Sequence, residues 1–152
     1  MTHMTPGNLA LLDAELKTDE GEVLHVYDDA NDKPIVKGST VVGTPTGSIG
    51  VNLTFLYPEE SVYLYRSRRD RAIAALRAAH SWFDQLDATR QRVLANMAYN
   101  MGEADLDTFH STLASVQAGR YDQAATDMEA SAWYRQVGAR AVRLVAMMRN
   151  GG

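Results

Sequence analysis

Five acidic residues lie where a first helix should end and extended structure should begin. They are Asp19, Glu20, Glu22, Asp28 and Asp29. A carboxylate at the C-terminal end of a helix is disfavoured by the helix dipole, so acids at this position point to a function. Hydrolysis of a glycosidic bond requires two carboxyl groups in different environments, one protonated and one ionised. The cluster is compatible with a glycosidase, and the alternative is that most of these acids are ordinary solvated charges.

Signatures of other chemistries are absent from the sequence. The chain has no cysteine, which excludes a disulfide, a thiol nucleophile and a cysteine-bound metal. Four histidines are far apart in the sequence, and no nucleotide-binding glycine loop or metalloprotease motif occurs. The arginines between residues 66 and 77 lie on a predicted helix surface and match no nucleic-acid-binding motif. We expect no metal, no cofactor and no nucleic-acid partner.

The formal net charge of −4 conceals two regions of opposite charge. Residues 1–65 contain three lysines and ten acids, a net charge of −7, and residues 66–152 contain twelve arginines and nine acids, a net charge of +3. This division predicts an acidic surface near a basic one, although two solvated faces would give the same composition. A length of 152 residues with 45% apolar side chains suits one compact domain.

Apolar spacing divides the chain into a helix, a region of strands and a longer region of helices. Three leucines at helical spacing predict a helix between residues 8 and 19. Residues 23–53 alternate Val, Ile and Thr with Gly, Pro, Asn and Asp, which is typical of short strands joined by turns. Pro58, followed by two glutamates, favours the first turn of a long helix that reaches about His80.

Residues 81–152, nearly half of the chain, are predicted to be mainly helical. Asp87 is placed to cap a helix whose apolar stripe ends at Gly102. Residues 131–138 are predicted to be a separator without regular structure. Further helices are predicted at residues 109–118, 121–129 and 139–148.

These elements predict an α+β fold in a single domain, residues 1–152. A small α+β lobe should occupy about residues 19–57, and residues 58–80 should form a connecting helix to a helical lobe at 81–152. Residues 1–18 are expected to pack as an N-terminal helix.

Four blocks of sequence carry a family resemblance. The first contains Asp19, Glu20 and Gly21, followed by Tyr27 and Asp29. Eight residues lie between Glu20 and Asp29. The others are residues 45–53 (PTGSIGVNL), 90–102 (RQRVLANMAYNMG) and 131–144 (SAWYRQVGARAVRL). In this order and spacing they resemble the phage T4-type lysozymes of glycoside hydrolase family 24, especially the phage and prophage endolysin branch. The resemblance implies a lysozyme-like fold, with a small β-containing N-terminal lobe joined by a long helix to an all-helical C-terminal lobe.

The resemblance also implies catalytic roles. Glu20 matches the general acid, Asp29 the carboxylate that activates or orients water, and Thr46 the hydroxyl that helps to hold that water. The family inverts configuration, so the two carboxyls should be on the order of 6.5–9.5 Å apart to admit the water. Arg140 and Arg143 match arginines that reach the acids, here Glu20 and Asp19.

Sugar-contacting positions of the family can be matched as well. Tyr99 should either stack on a sugar or belong to the core, Trp133 is expected in the core, and Glu22, Asp28 and Asp32 are expected to be solvated. The matched sugar-contacting positions are Asn52, Tyr99, Thr112 and Asp127.

Several positions depart from the pattern of the T4 enzyme. Sixteen residues separate Asp29 from Thr46, a much longer gap than in that enzyme, so residues 30–44 are expected to form an extended hairpin or loop beside the cleft. Gly47 and Ser48 replace an aliphatic residue and a glycine, and Val51 replaces a histidine.

The expected activity is that of a muramidase, which hydrolyses the β-1,4 bond between N-acetylmuramic acid and N-acetylglucosamine in bacterial peptidoglycan and causes host cell lysis. Two alternatives remain: a non-catalytic wall-binding or tail module on the same fold, and a lytic transglycosylase. We expect a monomer without stable membrane insertion. Because no signal sequence or membrane span is visible, we expect accumulation in the host cytoplasm and access to the wall after a separate pore-former acts.

Overall fold

The chain folds as two compact units, Met1–Ser61 and Val62–Gly152. In the computed structural model, residues 6–152 are described, with every side chain in that range except those of Asn8 and Glu20. The predicted N-terminal helix over residues 1–18 therefore lies partly outside the described residues. Helix α1 (Pro6–Glu20) precedes four strands, and helices follow to the end of the chain. The predicted α+β fold, with a small sheet before the helices, is confirmed.

The sheet of the first unit is antiparallel. Its strands are β1 (Val23–Asp28), β2 (Lys33–Pro34), β3 (Pro45–Ser48) and β4 (Val51–Asn52), in the spatial order β2-β1-β3-β4. The turn between β3 and β4 contains Ser48 and Gly50, both with positive φ. Gly47 is buried in β3, where a Cβ would lie 3.1 Å from Leu53 Cδ1 and 3.2 Å from the carbonyl oxygen of His25. A larger residue would therefore require these neighbours to move by a few tenths of an ångström.

A long segment joins β1 to β3, and we call residues 29–44 the β1–β3 connection. It contains the two-residue strand β2, and the rest consists of turns and irregular backbone. Asp32 has a positive φ of 55° at the turn before β2. The expected extended hairpin or loop is present over residues 30–44.

The second unit contains helices and their connections. Helix α2 (Pro58–Ala79) begins in the first unit and continues into the second, and a short 3-10 helix covers Phe83–Gln85. The remaining helices are α3 (Ala88–Met101), α4 (Glu103–Asp107), α5 (His110–Gln117), α6 (Tyr121–Ala130), α7 (Ala132–Val137) and α8 (Ala139–Asn150). The predicted cap of α3 is confirmed, since the Asp87 carboxylate accepts hydrogen bonds from the amides of Thr89 and Arg90.

The prediction that residues 131–138 form a separator is wrong. Most of this segment is helix α7, whose first turn is capped by Ser131, because its Oγ accepts a 3.1 Å hydrogen bond from the Tyr134 amide. Gly138, with a φ of 64°, ends the helix. A helix of six residues spans less than two turns, so its apolar spacing is too short to reveal a period.

The hydrophobic core belongs to the second unit. Helix α3 contributes its apolar stripe, which packs against the helices that follow it. All hydrophobic side chains that the structure describes as fully buried lie between Ala72 and Met148. The largest of them are Phe83, Leu94, Met97, Leu106, Met128, Leu144 and Met148.

Within residues 6–152, no helix has a stretch that is both long and apolar enough to span a bilayer.

Candidate active site

The antiparallel sheet brings three of the predicted site residues together. Asp29 follows the last residue of β1, and Thr46 lies on the neighbouring strand β3, where it pairs with Tyr27. Asn52 lies on β4, directly opposite Thr46. Asp29, Thr46 and Asn52 are therefore contributed by three adjacent strands or strand ends, although they are widely spaced in the sequence.

The backbone of Thr44 links Asp29 to Thr46. Its amide donates a 2.6 Å hydrogen bond to Oδ1 of Asp29, and its carbonyl oxygen accepts the Asp29 amide at 3.2 Å. The same carbonyl oxygen accepts the Thr46 hydroxyl at 3.1 Å. One peptide segment thus holds the candidate water-activating carboxylate and the candidate water-holding hydroxyl in one place.

The two neighbouring aspartates have different environments. Asp29 is exposed, and its Oδ2 accepts no hydrogen bond from any residue that the structure describes. Asp28 is 2% exposed, and each of its carboxylate oxygens accepts two hydrogen bonds. A water molecule can therefore reach Asp29, whereas the Asp28 carboxylate is already satisfied by protein donors.

The expectation that Asp28 is solvated is wrong. Its donors are the amides of Ala30, Val42 and Gly43 and the side-chain amide of Asn31, at 2.7–3.1 Å. Hydrogen bonding, above all from the Val42 amide, lowers the pKa of Asp28 below its ordinary value of 3.8, although burial opposes this decrease. The carboxylate is therefore ionised at neutral pH and stabilised by donors from both ends of the β1–β3 connection.

The structure describes the candidate general acid, Glu20, only by the position of its backbone. Glu20 is the last residue of α1, and Gly21, with a φ of 71°, separates it from the sheet. The side chain of Glu20 lies outside the described residues, so its predicted role stays a prediction. Glu22 and Asp32 are exposed, as expected.

In the second unit, two predicted sugar-contacting residues line one open pocket of about 550 Å³. Thr112 is buried on α5, and Asp127 projects from α6. Asp127 accepts hydrogen bonds from the Gln123 side-chain amide at 2.8 Å and the Ser115 hydroxyl at 3.3 Å. The pocket is therefore polar on this side, which suits hydroxyl and amide groups of a sugar.

Trp133 lines the same pocket from its apolar side. It is 7% exposed, packs edge-to-face against Phe109 and belongs to the core, as expected. Its indole N–H donates a 3.1 Å hydrogen bond to Oδ1 of Asn100. The tryptophan therefore orients the Asn100 side chain, which the sequence had not singled out.

Tyr99 lies in a separate groove of the second unit. Its side chain is 43% exposed on α3, which rules out a core position. Arg68 and Arg71 of α2 line the same groove, together with Glu103. A core position for Tyr99 is therefore wrong, and stacking on a sugar stays a prediction.

The two predicted acid-supporting arginines lie on α8. Arg140 donates hydrogen bonds to Asn96 of α3, to Oδ1 at 2.8 Å and to the carbonyl oxygen at 3.3 Å. Arg143 is exposed. Their proposed pairing with Glu20 and Asp19 stays a prediction, and the structure adds that Asn96 fixes the Arg140 guanidinium.

Comparison with known proteins gives the sheet and helices a family context. No model of a known protein family matches the chain. Two proteins of Dictyostelium discoideum, named "Probable T4-type lysozyme 2" and "Probable T4-type lysozyme 1", are each 23% identical to it over 156 aligned positions. The alignments cover 90% of this chain and 92% of each relative. The chain is similar to T4-type lysozymes. This distant, nearly full-length similarity supports a lysozyme family.

Two residues of this lysozyme-like chain were missed by the sequence reasoning. Thr44 acts through its backbone amide and carbonyl, and no side-chain pattern could have revealed it. Asn100 is adjacent to Tyr99 and within the third block of the resemblance, so its position was a usable signal.

Proposed function

We propose that the chain is a peptidoglycan muramidase that cleaves the β-1,4 bond between N-acetylmuramic acid and N-acetylglucosamine. One observation supports this most strongly: the exposed Asp29 carboxylate and the Thr46 hydroxyl are held by the same residue, Thr44. The nearly full-length similarity to two proteins named as probable T4-type lysozymes also supports this function.

In the proposed reaction, Glu20 protonates the glycosidic oxygen of the leaving sugar. Asp29 accepts a proton from a water molecule as that water attacks the anomeric carbon from the opposite face, and Thr46 helps to hold the water. Oδ2 of Asp29 is suited to this role because it accepts no hydrogen bond from the described residues, whereas Oδ1 accepts the Thr44 amide. Attack from the opposite face inverts the configuration at the anomeric carbon.

The proposed sugar contacts are distributed over both units. Asn52 lies next to the catalytic pair on the sheet. Thr112 would donate to or accept from sugar hydroxyls and acetamido groups, and Asp127 would accept from them. Tyr99 would present its exposed ring to an apolar sugar face. Arg140 and Arg143 would stabilise the acids from α8.

The biological proposal is that of an endolysin. The chain would accumulate as a monomer in the host bacterial cytoplasm and reach the wall once a separate pore-former permeabilises the membrane. Fractionation of expressing cells tests this: we expect the protein in the cytoplasmic fraction, and lysis only when a pore-former is co-expressed. Lysis by the chain alone would contradict the proposed route.

Substitution of the two acids tests the catalytic proposal. We expect Glu20→Gln and Asp29→Asn each to lower turnover of purified peptidoglycan by about 10²–10⁴-fold, the usual contribution of acid–base catalysis. Glu22→Gln is the matched control, because this exposed acid is two residues from Glu20. Circular dichroism confirms folding. Full activity in Glu20→Gln would refute the assignment.

The alternatives give different products. A non-catalytic wall-binding or tail module would bind peptidoglycan without releasing soluble fragments. A lytic transglycosylase would release 1,6-anhydromuramyl ends, which mass spectrometry distinguishes from the hydrolysed ends expected here by the absence of one water.

A further inference from the structure

Asp28 is the only ionisable side chain that is fully buried among the side chains described in residues 6–152. Its two oxygens share four donors. Oδ1 accepts the amides of Ala30 and Gly43, and Oδ2 accepts the Val42 amide and the Asn31 side chain. Two of these donors lie two and three residues after Asp28, and two lie 14 and 15 residues further along the chain than Asp28. The carboxylate therefore joins the beginning of the β1–β3 connection to its end.

Three consecutive backbone amides serve two consecutive aspartates. The amides of Val42 and Gly43 donate to Asp28, and the next amide, that of Thr44, donates to Asp29. The peptide plane that carries the Thr44 amide begins at Gly43, so displacement of the Val42–Gly43 segment would also displace the Thr44 amide. One continuous stretch of backbone thus holds both carboxylates.

Close packing reinforces this arrangement. A Cβ at Gly43 would collide with Oδ1 of Asp29 and would lie 2.7 Å from both the Cβ and the amide nitrogen of Ala30. The backbone can donate to Asp28 and lie against Asp29 only because residue 43 has no side chain.

We propose that Asp28 is a positioning residue, which fixes the β1–β3 connection so that Asp29 presents its Oδ2 to the attacking water. This inference rests on the proposed muramidase function. Asp28 itself activates no water, because both of its oxygens are saturated with protein donors. Hydrogen bonding lowers its pKa, so its acceptors remain charged throughout the neutral pH range.

Asp28→Asn is the first test. The amide nitrogen of asparagine is a donor and would face backbone N–H groups, so one of the two oxygen positions loses its bonds. We expect kcat on soluble peptidoglycan fragments to fall about 100-fold, the cost of a 1 Å misplacement, with KM changed by less than about threefold. The matched control is Asp32→Asn, an exposed acid in the same connection whose positive φ suits asparagine. We expect wild-type kinetics from it.

Hydrogen exchange gives a reading that does not depend on activity. In Asp28→Asn we expect faster exchange of the Val42 and Gly43 amides, and also of the Thr44 amide, whose own acceptor Asp29 is unchanged. A purely structural role would loosen Val42 and Gly43 but leave Thr44 protected and kcat unchanged. That result would overturn the proposal.

A second variant keeps the test decisive if Asp28→Asn does not fold. Gly43→Ala retains both carboxylates but displaces Asp29, so the same loss of kcat is expected. Gly38→Ala is its control, because it strains the same connection through a φ of 92° while placing no atom within 4 Å of a neighbour. Equal losses in the two variants would overturn the proposal. A wild-type protein that releases no product would refute the muramidase function, whereas the exchange of Thr44 would still decide the role of Asp28.

Discussion

Arg90 joins the start of α3 to the end of α8 in the second unit. Its Nε and Nη2 donate to the carbonyl oxygens of Met148 and Arg149 at 2.9 and 3.1 Å, and its Nη1 donates to Asp87 at 2.6 Å. Its guanidinium lies 3.6 Å from the ring centroid of Tyr121, and the side chain is 12% exposed. Because the last carbonyls of a helix have no partner within the helix, Arg90 supplies two of the missing donors of α8.

The magnitude of an Arg90→Ala substitution follows from these contacts. A hydrogen bond from a charged donor contributes about 1.5–3 kcal/mol, and a desolvated cation–π contact about 2 kcal/mol. The ion pair with the partly exposed Asp87 adds little. After allowance for water entering to solvate the two carbonyls, we expect a loss of about 4 kcal/mol in the free energy of unfolding. For a chain of this size, that loss corresponds to a decrease in Tm of about 10 °C.

Urea unfolding followed by tryptophan fluorescence measures this loss. Both tryptophans, Trp82 and Trp133, lie in the second unit, so the signal reports on the unit that contains Arg90. Arg92→Ala is the control, because Arg92 is exposed on the same helix and makes one side-chain hydrogen bond, to Thr89. We expect its effect to be within about 0.5 kcal/mol. Equal destabilisation by the two variants, or a loss below about 1 kcal/mol for Arg90→Ala, would refute the reasoning.

Two further predictions concern the site and the helix cap. Thr46→Val removes the hydroxyl that donates to the Thr44 carbonyl oxygen and should lower kcat about 100-fold. Thr46→Ser keeps the hydroxyl and should retain most of the activity. Equal kinetics in the two variants would contradict the water-holding role. Partial burial raises the pKa of Asp87, but hydrogen bonds, first from the Arg90 side chain, outweigh this, so the pKa is lowered from 3.8. A carboxyl whose pKa is lower in the folded state stabilises the fold at pH values above its unfolded-state pKa. The stability of wild type relative to Asp87→Asn should therefore decrease as pH falls from 6 through 3.8 towards 2. A stability advantage that is constant over this range would contradict the lowered pKa.

Local patterns in the sequence predicted the longer elements. The cap at Asp87 and the stop at Gly102 define α3 because both act on their own turn of helix. The alternation in residues 23–53 predicted strands because it, too, is a local signal, carried by neighbouring residues. Short helices such as α4 and α7 have too few turns to show a period, which is why the sequence predicts a separator where α7 lies.

The candidate site was predictable in its side chains but not in its backbone contacts. Asp29 and Thr46 were singled out through a family resemblance that fixes residue types at given positions. The burial of Asp28 was not predictable, since two of its donors are backbone amides 14 and 15 residues away, and every residue type except proline carries such a donor. The role of the Thr44 backbone escaped prediction for the same reason.

The configuration of the first product tests the central claim most directly. Proton NMR of soluble peptidoglycan fragments, recorded before mutarotation, distinguishes the two anomers at the newly formed reducing end. Water activated by Asp29, on the face opposite Glu20, should yield the α-anomer from the β-1,4 bond. A β-anomer, or an anhydro product without a reducing end, would contradict the account.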